Sequence, residues 1–150
     1  MGAWRTGKQI DIGLDPRSGV PVYRQIIDQI VGGIAARRLR AGDQLPTVRQ
    51  LAVDLAINPN TVIRAYRELE IRGVLDTQQG SGTFIADKPV QRDDSEQQRR
   101  LNQVIGDFVS RLGREGFTVA EALERMTELY DGSRRQGEDS NANTRTGNNT

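Results

Sequence analysis

The chain has 150 residues, a formal net charge of +1, and neither cysteine nor histidine. Disulfides, thiolate chemistry and histidine-based acid–base or triad catalysis are thereby excluded, and a zinc or copper site would lack its usual nitrogen and sulfur ligands. Hydrophobic residues make up 35% of the chain, its mean hydropathy is −0.61, and it has no apolar run of membrane-helix length, so one modest core diluted by polar segments is expected.

Charge is unevenly placed. Residues 1–90 hold 12 basic and 9 acidic side chains, whereas residues 91–150 hold 9 and 11. Lys8 and Lys88 are the only lysines; every other basic residue is arginine. Arginine is the better fork for phosphates and guanine edges. A GC-rich genome would produce the same bias.

In chain order, residues 1–20 read as an irregular arm. Residues 1–9 show no apolar signal-peptide core, which fits a cytoplasmic protein. Ile10-Asp11-Ile12 suggests a short extended piece, and Asp15-Pro16-Arg17-Ser18-Gly19 a turn. Pro21 then opens a helix at its first turn, with Val22, Tyr23, Ile26, Ile27, Ile30, Val31 and Ile34 as its apolar stripe. Gly32-Gly33 weakens that helix, and close packing of another backbone would account for the pair. Thr47 and Gln50 have capping-box spacing ahead of a second short helix that carries Val48, Leu51, Ala52, Leu55 and Ala56.

A third helix is predicted over 59–72. Asn58 is its cap, Pro59 its first residue, and Val62, Ala65, Tyr66 and Leu69 its buried stripe. Gly73 suits the left-handed position after it. Residues 74–78 and 83–86, around Gln79-Gly80-Ser81-Gly82, read as a β-hairpin. The domain is placed at 21–87, with a polar linker at 88–98. Two more helices follow within 99–131. One carries Leu101, Val104, Ile105, Phe108, Val109 and Leu112. The other is capped by Thr118 and Glu121 and carries Val119, Ala122, Leu123, Met126, Leu129 and Tyr130. A polar tail, expected to be disordered, is placed at 132–150.

Two short helices joined by a tight turn and followed by a hairpin make a winged helix-turn-helix. The predicted fold is therefore mainly α with a small β-hairpin, followed by a two-helix dimerisation segment. The major groove admits one α-helix, whose N-terminal residues reach base edges. Opposite the third helix's buried stripe lie Asn60, Arg64 and Arg67, flanked by Ile63. Asn pairs with adenine and Arg with guanine, and Asn60 and Arg64 rank first because they stand nearest the helix start. Asn58 and Thr61 lie where free backbone N–H groups would favour a phosphate.

Each residue also has a plainer role. Asn58 can be only a cap. Arg64 and Arg67 can be surface residues paired with Glu68 or Glu70, and Arg49 a surface arginine. Gly80, Ser81 and Gly82 serve any hairpin turn, though they would also let the wing approach a DNA backbone, with Thr83 donating to a phosphate.

Taken together, Leu45-Pro46-Thr47-Val48-Arg49-Gln50-Leu51-Ala52, Asn58-Pro59-Asn60-Thr61-Val62, Ala65-Tyr66-Arg67-Glu68-Leu69-Glu70, Gly73 and Gly80-Ser81-Gly82-Thr83-Phe84-Ile85 resemble the DNA-binding half of GntR-family regulators. The resemblance covers about residues 10–87. The Asn-Pro-Asn-Thr stretch and the short C-terminal segment look like the YtrA subfamily. Arg49, Asn58, Asn60, Thr61 and the turn from Gly80 to Thr83 match the family's usual DNA-contact positions. Pro59 stands where many members carry arginine, so an arginine contact there is lost. Arg64 follows from the helix-face argument alone. The resemblance implies a dimeric regulator, usually a repressor, on an inverted-repeat operator of double-stranded DNA, often of a transporter operon.

Two helices with broad apolar stripes cannot bury both against each other and stand alone. A second copy is the expected partner, through Leu101, Val104, Ile105, Phe108, Val109, Leu112, Leu123, Met126, Leu129 and Tyr130. The rival is packing back on the first domain as a monomer. No nucleotide fingerprint, metal cluster, cofactor site or catalytic constellation is expected, and any effector is unidentified. Two other classes compete with the regulator: a winged-helix adaptor that binds protein, and a carboxylate-dependent enzyme.

Overall fold

The structure is a computed structural model that describes residues 10–87 and 94–138, with side chains described as far as residue 130. The chain divides into two compact units near residue 89.

The first unit contains α1 (Val22–Ala35), β1 (Gln44–Leu45), α2 (Val48–Leu55), α3 (Pro59–Ile71), β2 (Leu75–Gln78) and β3 (Gly82–Ile85). The apolar stripes of α1 and α3 face each other. Ile26, Ile27, Ile30, Val62 and Leu69 are fully buried, and Leu45, Leu51, Leu75 and Ile85 close the core around them. Burying five such side chains removes each from water at roughly 1.5–3 kcal/mol, which is the main force holding α3 on its base.

The sequence reading is corrected at several points. The hairpin is part of a three-stranded antiparallel sheet ordered β1-β3-β2, because Gln44 and Leu45 pair with Phe84 and Thr83. Pro21 is the N-cap residue rather than the first helical residue. Gly33 is explained by the Leu39 side chain, not by a backbone: a Cβ there would stand 3.0 Å from Leu39 Cδ1, whereas Gly32 meets nothing.

The segment 10–20, expected as an arm, is docked onto α1. Ile12 is buried. Gln29 holds both the N–H and the carbonyl of Gly13, at 2.9 and 2.7 Å, and the Gln25 amide reaches the carbonyls of Asp15 and Val20. It has no regular secondary structure. Residues 1–9 of the expected arm lie outside the described residues.

The second unit is a helical hairpin of α4 (Asp94–Arg114) and α5 (Val119–Glu138). Thus α4 starts inside the expected linker, and α5 continues through residues 132–138, where the tail was expected. Linker residues 88–93 and tail residues 139–150 lie outside the described residues. Gly116, at φ +82°, turns the chain between the helices. The Thr118–Glu121 capping box forms in both directions: the Thr118 N–H donates to Glu121 Oε2 at 2.7 Å, and the Glu121 N–H to Thr118 Oγ1 at 3.2 Å. The Thr118 N–H bond, and a second from the Thr118 hydroxyl at 2.8 Å, hold the Glu121 carboxyl below its ordinary pKa of 4.5.

Candidate nucleic-acid interface

The interface is built on the angle between α2 and α3. Thr47 Oγ1 accepts from the Gln50 N–H at 3.1 Å and starts α2. The Gln50 side chain turns to Asp54 instead of back to Thr47, so the predicted box forms on one side only. Ala56 ends α2 in the left-handed region at φ 53°. Two residues later Asn58 caps α3, its Oδ1 accepting from the Asn60 N–H at 2.9 Å.

Tyr66 ties the two helices together from below. Its ring is buried and its hydroxyl donates to the Pro46 carbonyl at 2.7 Å. Burial pushes the phenol pKa well above its ordinary value, so the hydroxyl stays a donor at any physiological pH.

The start of α3 differs from expectation in one respect. Pro59 has no N–H, the Asn60 N–H is taken by Asn58 Oδ1, and the Thr61 N–H donates to the Asn58 carbonyl at 3.0 Å. No free backbone donor remains on Asn60 or Thr61 for a phosphate. Asn58 is a cap, as the plainer reading had it; its side-chain NH2 stays exposed, whereas Thr61 is half-buried.

The outer side of α3 is open. Asn60, Ile63, Arg64 and Arg67 are exposed and, with Glu68 and Ile71, line a shallow groove. The acids do not neutralise this face as the rival reading supposed. Glu68 pairs with Arg72, and Glu70 accepts from the Thr77 hydroxyl on β2. Among the described residues, Arg67 has no hydrogen-bond or ion-pair partner. Arg49, exposed in the first turn of α2, has none either.

Arg64 stands apart from its neighbours. Its guanidinium lies over the ring of Tyr23 on α1, 3.8 Å from the centroid. Its guanidinium therefore leans toward α1, at the edge of the groove that Asn60 and Arg67 also line. Tyr23 was read as part of the α1 stripe, and nothing local in the sequence signals this contact.

The wing carries two kinds of residue. Its turn is Gln79-Gly80-Ser81, closed by the Ser81 N–H to the Gln78 carbonyl at 3.0 Å. Gly80, at φ +81°, has nothing within 4 Å of where a Cβ would sit. Gly80 and Ser81 thus form the free tip.

Gly82 and Thr83 instead face the protein. At φ +127°, Gly82 sits over Gln44, whose Nε2 would lie 2.5 Å from a Cβ and donates to the Ser81 carbonyl at 3.1 Å. Thr83 lies opposite Thr77, with the hydroxyl oxygens 3.3 Å apart, on the side where Thr77 meets Glu70. The expectation that Thr83 donates to a phosphate is corrected: its hydroxyl is turned toward α3. Gln44, missed from sequence, is the wing's support.

In the second unit, Leu101, Val104, Ile105, Phe108, Val109, Leu123, Met126, Leu129 and Tyr130 are all exposed in the single chain, Val104 at 65%, and Leu112 is half-buried. None of the α4 residues is buried.

A helix-turn-helix whose second helix is open on its outer side, followed by a hairpin, defines a winged helix-turn-helix DNA-binding domain. Comparison with known proteins narrows this class. The family model described as bacterial regulatory proteins, gntR family, matches residues 22–85. The chain is 37% identical over 116 residues to the uncharacterized HTH-type transcriptional regulator YhcF of Bacillus subtilis, covering 77% of this chain and 95% of that protein. It is 46% identical over 76 residues to the HTH-type transcriptional repressor YtrA of the same organism, covering 51% of this chain and 58% of that protein. The solved structure of YtrA from Sulfolobus acidocaldarius, a GntR-family transcription factor, aligns with TM-score 0.50 and 32% identity over 68% of this chain and 99% of that one. A transcriptional regulator from Oenococcus oeni aligns with TM-score 0.51 and 34% identity over 77% and 96%. This chain belongs to the GntR family and is a DNA-binding transcription regulator of YtrA-like kind.

Proposed function

We propose that the protein is a homodimeric repressor that reads an inverted-repeat operator, with one α3 helix in each of two successive major grooves. The observation that carries this reading is the outer side of α3. Asn60 and Arg67 project there with no acidic partner, between α1 on one flank and the wing on the other. Asn60 has the chemistry to pair with adenine and Arg67 with guanine, while Ile63 can pack against a thymine methyl. Arg49 and the Gly80–Ser81 tip lie where they would position the domain on phosphates.

The dimer rests on the second unit. Its exposed apolar residues would each gain roughly 1.5–3 kcal/mol on full burial. A two-fold pairing of this segment would cover them and could set two recognition helices about 34–36 Å apart. Repression is the activity printed for YtrA, and it enters here as part of the proposal. Control of a transporter operon, implied by the resemblance, is part of it too, as is action in the cytoplasm.

The test is selection of bound duplexes from a random pool, followed by fluorescence anisotropy. A two-fold-symmetric consensus is expected. Asn60→Ala should relax preference at one position per half-site, at about 1–3 kcal/mol of lost discrimination. The adaptor reading draws support from the exposed Ile71 in the same groove. It predicts no enriched sequence, and affinity indifferent to salt between about 50 and 200 mM, where phosphate contacts would make DNA binding fall steeply.

A further inference from the structure

We infer that Tyr23 and Arg64 together form a phosphate clamp on the α1 side of the recognition helix, with Tyr23 as its positioning residue. This rests on the DNA-binding reading above but assigns Arg64 a different task from the base reading expected from sequence.

The argument starts from the geometry of α3. Successive residues turn by about 100°. With the buried residues Val62, Ala65, Tyr66 and Leu69 marking the inner side, Asn60 and Arg67 point outward and Ile63 lies toward the wing. Arg64 starts as near the outward direction as Arg67 but on its opposite side, and its contact with the Tyr23 ring draws the guanidinium onto the shoulder toward α1. A side chain on that shoulder meets the wall of a groove filled by α3 before its floor, and the wall is sugar and phosphate.

Arg64 is also held there. Four residues on is Glu68, the natural ion-pair partner for Arg64 on a helix. Glu68 instead pairs with Arg72. The Arg64 guanidinium carbon lies over the half-buried Tyr23 ring, 3.8 Å from its centroid, a distance that suits stacking of the two planes. Stacking uses only the π-face of the guanidinium. Its five N–H donors lie in the plane and remain available, and among the described residues none of them has an acceptor. A cation held against a ring with its donors unspent is arranged to receive an anion at its edge. The Tyr23 ring restricts a long, rotamer-rich side chain before DNA arrives, which lowers the ordering cost of binding.

A phosphate contact and a base contact differ in two readouts. A phosphate contact weakens binding uniformly across sequences and reduces the salt slope by about one. A base contact changes preference at one position and leaves the slope nearly intact. The experiment uses the full chain, a duplex recovered by selection and an unrelated duplex of equal length, with anisotropy titrations over a salt series.

Arg64→Ala should weaken both duplexes by a similar factor, about tenfold, and lower the slope by about 0.9. Tyr23→Leu should give about a threefold weakening of both, and almost none in the Arg64→Ala background. Tyr23→Phe, which keeps the ring, should bind as the wild type does. Thermal melts identify any variant that fails to fold, and Tyr23→Phe against Arg64→Lys then carries the comparison, since lysine keeps the charge but lacks the planar stack.

The proposal is overturned if Arg64→Ala changes preference at one base pair with the slope unchanged, or if a folded Tyr23→Leu binds as tightly as the wild type. A wild-type chain that binds neither duplex would instead remove the DNA-binding reading on which it rests.

Discussion

Tyr66→Phe isolates the tie between the recognition helix and the segment that opens α2. The ring, 3% exposed, keeps its packing, and only the hydroxyl bonded to the Pro46 carbonyl at 2.7 Å is removed. A neutral hydrogen bond contributes about 0.5–1.5 kcal/mol net. Pro46 is half-buried, so water can reach its carbonyl when the partner leaves. The expected cost is therefore about 1 kcal/mol, in the middle of that range. In a unit of this size it lowers the melting temperature by about 4–8 °C.

The same residue sets an alkaline limit. Burial raises the phenol pKa above its ordinary 10.0, so the folded state holds this proton more tightly than the unfolded state does. The contribution is fully present below pH 10.0 and is lost as pH rises from there toward the folded value. Differential scanning calorimetry of wild type and Tyr66→Phe, at neutral pH and again above pH 10.0, checks both points. The two proteins should differ at neutral pH and converge at high pH. A Tyr66→Phe protein as stable as wild type at neutral pH, or a gap that widens with alkali, refutes the reasoning.

Three further outcomes follow from other parts of the chain. Gly32→Ala should stabilise the first unit by about 0.5–1 kcal/mol, because the position is helical and exposed and a Cβ there meets nothing; urea denaturation measures it, and a loss of stability would contradict the open space. Phe108→Arg, a charge in the middle of the α4 stripe, should shift the chain to monomer in light scattering at micromolar protein, while the first unit melts as before. Thr118→Ala removes the hydroxyl bond to the Glu121 carboxylate but keeps the backbone N–H bond, which is the larger cause, so the Glu121 pKa should rise only part of the way toward its ordinary value; carbon-detected NMR titration reads this. As a group with a depressed pKa, Glu121 lends the α5 cap a stability present above pH 4.5 and lost as pH falls through its folded value.

The parts of the site that were legible in the sequence are those with local causes. Asn58 and Pro59 mark the start of α3 through capping chemistry, and the stripe from Val62 to Leu69 marks its inner side by period alone. Gly73 at φ +70° ends it for the conformational reason given in advance.

What was not legible depends on partners distant in sequence. β1 is two residues long, too short to show alternation, and exists only because β3 lies beside it. Gln44 supports a turn 37 positions away. The first residues of α4, Asp94 to Arg100, carry no apolar periodicity. Thr83 is a different case: in a strand it must share a side with Ile85, which is in the core, so its inward hydroxyl was implied by the alternation and overlooked. Arg64 was assigned by angle alone, and the aromatic ring that draws it aside belongs to another helix.

The recognition helix is held on both shoulders, by the Tyr23–Arg64 stack on one side and by Glu70 with Thr77 on the other. These contacts, with the buried stripe beneath, restrain it from rolling about its long axis and favour one rotational frame in the free protein. On the proposed reading, Asn60, Ile63 and Arg67 are interchangeable type in a fixed printing block. Substitutions at these three exposed positions would then rewrite the recognised sequence without touching the core, and a duplicated copy of this chain would acquire a new operator while inheriting its architecture unchanged.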